Sequence, residues 1–131
     1  MPWTVLFDAE FREEYDAMPE EAQNALLATV DVLRELGPQM GRPHADTLNG
    51  SRYKNMKELR FNADDGVWRA AFAFDPKQQA IVLICGDKAG ENKRAFYKAL
   101  IKTADARYSA HLARLKAEDK RKKAEAKKPK S

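Results

Sequence analysis

The chain has 131 residues, a formal net charge of +4, 34% charged and 44% hydrophobic side chains, and a single cysteine. That length and apolar content suit one domain with its own core, and no apolar run is long enough to span a bilayer. One cysteine excludes an internal disulfide, the first residues lack the layout of a secretion signal, and the cytoplasm is the expected compartment.

The N-terminal run Trp3 to Phe7 is β-prone and predicts a first strand. Asp8 stands where an N-cap belongs, and Phe11, Tyr15 and Met18 recur at helical spacing. Pro19 suits the first turn of a second helix, whose apolar stripe is Ala22, Ala25, Leu26, Val30, Leu33 and Leu36. Gly37-Pro38 ends it, so the two helices form a hairpin. Gln39 to Tyr53 reads as a loop. Three strands follow, Met56 to Phe61, Val67 to Phe74 and Ala80 to Cys85, separated by short turns that favour an antiparallel meander. Phe96, Leu100, Ile101, Ala104, Tyr108, Leu112 and Leu115 mark a long last helix. The order β-α-α-β-β-β-α predicts class α+β: a small, twisted, mainly antiparallel sheet with an N-terminal helical hairpin and a C-terminal helix. One domain is expected over residues 1–115. Residues 116–131 form a basic tail with no apolar face, expected to extend the helix only as a fraying segment or to be disordered.

Charge is distributed unevenly. Residues 1–36 carry nine acidic and two basic side chains, residues 37–115 fourteen basic and eight acidic, and residues 116–131 eight basic and three acidic. The basic part suits nucleic acid. Within it, single cations (Arg60, Arg69, Lys88) interrupt or end three consecutive apolar strands. A buried cation costs desolvation unless an anion or water faces it. Alternation places Trp68, Ala70, Phe72 and Phe74 on one face, toward the helices, and Val67, Arg69, Ala71 and Ala73 on the other. The small neighbours of Arg69 are expected to leave room for a ligand. In the preceding strand Leu59 and Phe61 share one face, while Met56, Glu58 and Arg60 share the other, so Arg60 and Arg69 should lie on one open side. Surface ion pairs would explain any one of these arginines; together with Lys88 they point to a polyanion, for which the arginine fork is suited.

Arg52, Tyr53, Lys54 and Lys57 are expected at the mouth of the same sheet, offering charge for phosphates and a ring for bases. Lys93 and Arg94 open the last helix, where cations oppose the helix dipole and an incoming phosphate would relieve them. Tyr97 lies one turn later; Phe96 belongs to the core. His44 reads as a turn residue and His111 as a surface residue, and neither has partners at metal-ligand spacing. Nucleophile-elbow, phosphate-loop and dinucleotide motifs do not occur.

The segments DTLNGSRYKNMKELRF, VWRAAFAFDPKQQAIVLICGDKAG and KRAFYKALIKTADARYSAHL resemble the RelE/ParE superfamily of type II toxin–antitoxin toxins, most closely its phage-derived, HigB-like branch. The resemblance implies a ribosome-dependent endoribonuclease that cuts mRNA without a metal or other cofactor. In such an enzyme the RNA 2′-hydroxyl attacks the adjacent phosphate. An antitoxin, expected to be a small helix-turn-helix protein encoded alongside, holds it inactive. By position, Arg60 and Arg69 would hold the scissile phosphate, Lys88 would neutralise the transition state, and Tyr97 would stack on a base or assist proton transfer. Lys54 and Lys57 would bind neighbouring phosphates. Where RelE carries two alternating lysines before the strand arginine, this chain has Met56 and Glu58, so Glu58, Tyr53, Lys54 or Tyr97 stands for the general base. A ParE-like group within the superfamily blocks DNA gyrase and cleaves nothing, which is the alternative function.

Overall fold

The computed structural model describes residues 2–127. Its elements are β1 (Thr4–Phe7), α1 (Ala9–Asp16), α2 (Glu20–Leu36), β2 (Ala45–Thr47), β3 (Met56–Ala63), β4 (Gly66–Phe74), β5 (Gln79–Asp87) and α3 (Lys93–Ala126), with a short 3-10 turn at Gly37–Gln39. The expected α+β order holds, with one strand added. β2 lies inside the segment expected to be a loop; at three residues, Ala-Asp-Thr, it is too short to show alternation.

Local chemistry sets the boundaries. The Asp8 carboxylate caps α1 by accepting from the backbone N–H groups of Glu10 and Phe11 at 3.1 and 3.2 Å. Gly37 closes α2 at φ 56°, and a Cβ there would lie 2.2 Å from the Trp3 indole, so glycine is required both for the backbone and to seat Trp3. Asp64 and Asp65 form a two-residue hairpin between β3 and β4 with φ of 48° and 64°, the left-handed pair that matches strand twist.

The sheet order is β1-β5-β4-β3-β2, with β1 parallel to β5 and the other pairs antiparallel. One face packs on α1 and α2: Phe11, Leu26, Val30 and Leu33 meet Leu59, Ala70, Phe72 and Val82. Leu36, expected within that stripe, is 46% exposed. On the opposite face, Met56, Ala71, Ala73, Ile81 and Leu83 pack under Phe96, Leu100, Ala104 and Tyr108 of α3. The side expected to be open is therefore mostly covered: Ala71 and Ala73 make room for a helix, not for a ligand. Burying each large side chain in either layer stabilises the fold by roughly 1.5–3 kcal/mol.

The β4–β5 register skips Leu83. The carbonyl of Leu83 accepts from Arg107 of α3 at 2.8 Å, and the same guanidinium reaches Glu14 at 2.6 Å and Glu10 at 3.1 Å. One arginine thus satisfies the bulge and ties α1 to α3. Beyond Leu115, α3 continues to Ala126 with nearly every side chain exposed, and Lys77 pairs with Asp119 at 2.9 Å beside the β4–β5 turn. The last four residues of the expected tail, 128–131, lie outside the described residues. Among the described residues no helix is long and apolar enough to cross a membrane.

Candidate active site

The α3-facing side of the sheet changes character at the ends of β3 and β4. Arg60 and Arg69 are directly opposite each other in the register, and Glu58 sits two residues earlier on the same face. The covering helix begins at Lys93, so this corner stays accessible from one side. It forms a cleft of about 960 Å3 between β2, β3, the segment after β5 and the first three turns of α3.

Glu58 is the centre of the site. Its carboxylate is 7% exposed and accepts from the Tyr97 hydroxyl at 3.2 Å. Arg60 Nε and Arg69 Nε approach the same oxygen, Oε1, at 3.7 and 3.6 Å, inside ion-pair range but too far for a good hydrogen bond. Burial pushes the Glu58 pKa above the usual carboxylate value, and Tyr97, Arg69 and Arg60 only partly offset this. Arg69 is itself buried, with 6% of its side chain exposed. Its Nη1 donates to the Trp68 carbonyl at 2.8 Å, while its Nε is a buried donor with no partner among the described residues. A buried polar atom left unsatisfied costs roughly 1–3 kcal/mol, which marks this corner as unsaturated.

Arg60 is more open at 32%, and also lies 4.0 Å from Asp46 of β2. Asp46 is engaged by Arg42 at 2.7 Å, which lowers its pKa. Lys88 follows β5, fixed by its backbone N–H donating to the Val67 carbonyl at 2.8 Å. Its ammonium stands 5.9 Å from the Tyr97 ring centre. Burial lowers the Lys88 pKa, and Arg69, Lys93 and Arg60 push it further the same way. Burial also raises the Tyr97 pKa, with the charge of Glu58 adding to the effect and Arg69 opposing it. Phe96 packs edge-on to Tyr97 at 5.3 Å, and Gly86 leaves the space that Phe96 occupies, which fixes the start of α3 over the sheet.

Of the residues singled out by sequence, Glu58, Arg60, Arg69, Lys88 and Tyr97 converge, and Lys93 and Arg94 stand on the cleft wall. Arg52, Tyr53 and Lys54 do not line the cleft. Their loop is tied to the middle of α3 instead: the Arg52 N–H donates to Asp105 at 3.0 Å, and the Tyr53 hydroxyl bonds Ser109. The Tyr53 ring packs edge-on against Tyr108 at 4.8 Å, so it is a packing group here. Lys57 is opposite Phe72 and shares the face of Leu59, away from Glu58. His111, expected at the surface, is 13% exposed, stacks on Tyr108 and bonds the buried Asp75 at 2.8 Å.

Sequence reasoning missed Arg42 in the turn before β2, Asp46 and Thr47 of β2 itself, and Lys98 and Lys102 on α3. The signal for the last two was present: Arg94, Lys98 and Lys102 recur every fourth residue, on one helix face.

This corner, cationic around one buried carboxylate on a sheet clasped by two helical layers, belongs to a known class of fold. A free-state structure of an arginine-substituted Escherichia coli toxin RelE aligns with a TM-score of 0.55 over 77% of this chain and 95% of that one, at 12% identity, which establishes the likeness of fold. At the level of sequence, the family model of phage-derived Gp49-like proteins matches residues 13–109. HigB2 and HigB3 of Mycobacterium tuberculosis, both named as toxins, are 43% and 44% identical over 99 and 97 residues, or 75% and 74% of this chain. The chain spans about half of HigB2 (49%) and 82% of HigB3. It belongs to the Gp49-like family of phage-derived proteins, has the HigB2 and HigB3 toxins among its relatives, and shares the fold of RelE.

Proposed function

We propose that this chain is the toxin of a type II toxin–antitoxin pair and acts as a ribosome-dependent endoribonuclease on mRNA. What carries the reading is the convergence of Arg60, Arg69, Lys88 and Tyr97 around Glu58. Cleavage of RNA by its own 2′-hydroxyl needs no protein nucleophile. It needs a base for the attacking hydroxyl, an acid for the leaving 5′-oxygen, and cations for the extra negative charge on the phosphate.

The site offers each. Glu58, with its raised pKa and its bond to Tyr97, takes the 2′-proton through the Tyr97 hydroxyl. Arg60, open to the cleft, holds the phosphate oxygens. Arg69 is a positioning residue: buried beneath Glu58, it fixes the carboxylate and adds positive field to the phosphate site. Lys88, whose pKa is lowered, gives its proton to the leaving oxygen. The products are a 2′,3′-cyclic phosphate and a 5′-hydroxyl, and no step passes through a metal. Lys93 and Arg94 bind flanking phosphates at the helix start. Residues 1–115 form the catalytic unit, the ribosome presents the strand, and an antitoxin encoded alongside blocks the cleft.

Expression of the wild type, Arg69→Ala and Lys88→Ala without antitoxin tests the reading. The wild type should arrest growth with cuts in translated transcripts, and both variants should release growth. Arrest with intact mRNA, accompanied by gyrase-dependent DNA damage, would replace this reading with the ParE-like one.

A further inference from the structure

The cationic wall of the cleft does not stop at the cleft. Arg94, Lys98 and Lys102 lie on one line of α3, and the same line, continued at 3.6 residues per turn, passes through Lys116, Lys120 and Lys123. All six fall within about 40° of a common direction over a rise of about 45 Å. Each is exposed, and among the described residues none forms an ion pair. Between the two triplets the same helix face carries Asp105 and Ser109, and there it is crossed by the loop they hold, whose Arg52 backbone N–H donates to Asp105.

On the distal part of α3 the acids and the lysine line keep mostly to different sides, although Arg121 and Lys122 share the side of the glutamates. Glu118 and Glu125 project roughly opposite the lysine line, and Asp119, beside it, is occupied by Lys77 at 2.9 Å. A helix kept only for solubility gains from opposite charges four residues apart and loses from like ones. Lys116, Lys120 and Lys123 follow each other at spacings of four and three, with Asp119 at the edge of their face. Asp119, the acid nearest to them, is taken up by Lys77, and an anion lying along the helix would relieve the repulsion that is left.

We infer that α3 is a rail for a single RNA strand, which leaves the cleft past Arg94, Lys98 and Lys102 and continues over the Arg52 loop onto Lys116, Lys120 and Lys123. The inference rests on the proposed nuclease reading for its choice of RNA, and it adds the path of the flanking strand. Contacts are to phosphates, so the rail lengthens the footprint without reading sequence.

The test is binding of full-length protein to 2′-O-methylated RNA, which the proposed reaction cannot cut, at lengths of about 5 and about 16 nucleotides over a range of salt. Three proteins are compared: wild type, the on-line double variant K120Q/K123Q, and the off-line double variant R121Q/K122Q, which removes the same charge from the other side of the helix. Glutamine preserves helix propensity, and circular dichroism checks the fold. The long RNA should bind wild type more tightly than the short one, with a steeper salt dependence. K120Q/K123Q should lower that slope by about 1.4, two contacts at roughly 0.7 each on a single strand. It should leave short-RNA binding unchanged, and R121Q/K122Q should leave both unchanged. Equal losses in the two doubles, or tighter binding to an RNA duplex or to phosphatidylglycerol vesicles than to the long strand, would overturn the rail. Failure to cut unmodified mRNA while the length effect persists would count against the nuclease reading and leave the rail standing.

Discussion

Two buried carboxylates on this sheet have opposite fates. Asp75, at the end of β4, is saturated: Oδ1 accepts from the backbone N–H groups of Lys77 and Gln79 at 2.8 and 3.0 Å, and Oδ2 from the Gln79 side chain and His111 at 3.0 and 2.8 Å. Burial raises its pKa, but His111, Gln79 and Lys77 outweigh that and hold it below the usual value. Among the described residues Glu58 has one hydrogen bond, two arginines just out of bonding range, a raised pKa and an unpaired buried donor beside it. A carboxylate with all its partners fixes a turn to a helix. One kept short of partners among cations stores the capacity to bind and to move a proton.

Substitutions at the two sites should therefore separate activity from stability. The largest activity effect is expected at Glu58 and its cations. Glu58→Gln keeps an acceptor for Tyr97 but cannot take a proton, and should lower cleavage by about 10²–10⁴-fold. Lys88→Ala should cost about 10²–10³-fold with little change in melting temperature. At the saturated site the signature reverses. Asp75→Ala strands His111 and several donors and should cost about 3 kcal/mol in denaturant unfolding, while the folded fraction cleaves normally. His111→Ala removes one of those bonds and should cost about 1–2 kcal/mol.

The pH dependence of stability sharpens the contrast because the two shifts have opposite signs. The lowered pKa of Asp75 contributes stability that is present above the unfolded carboxylate value and is lost as pH falls through the folded one. Asp75→Asn should flatten that acid limb. The raised pKa of Glu58 contributes stability that is present at low pH and is lost as pH rises through the folded value. Glu58→Gln should flatten that decline instead. Denaturant midpoints across pH check both. The smallest effect is expected at the exposed Lys77–Asp119 pair, where Lys77→Ala should leave the midpoint unchanged.

Much of this was legible in the residues. Period-two alternation alone put Glu58, Arg60 and Arg69 on one face, and the caps at Asp8 and Gly37 bounded the helical hairpin. What alternation cannot say is what covers a face: Ala71 and Ala73 read equally as space for a ligand or for Phe96 and Leu100, and packing chose the helix. Loop residues were the least legible. Tyr53 and Arg52 sit where they do because Asp105 and Ser109, more than fifty residues later, hold their loop. Lys57 illustrates a neighbour in sequence that a single step along a strand sends to the far side.

The central claim is that the unsaturated corner around Glu58 cuts RNA. Its most direct test is end-mapping of a defined mRNA after incubation with translating ribosomes and purified protein, wild type beside Glu58→Gln. The expected result is wild-type cuts bearing 2′,3′-cyclic phosphate and 5′-hydroxyl ends, nearly absent with the variant. Intact mRNA with a wild-type protein that still arrests growth, or equal cutting by both proteins, would contradict it.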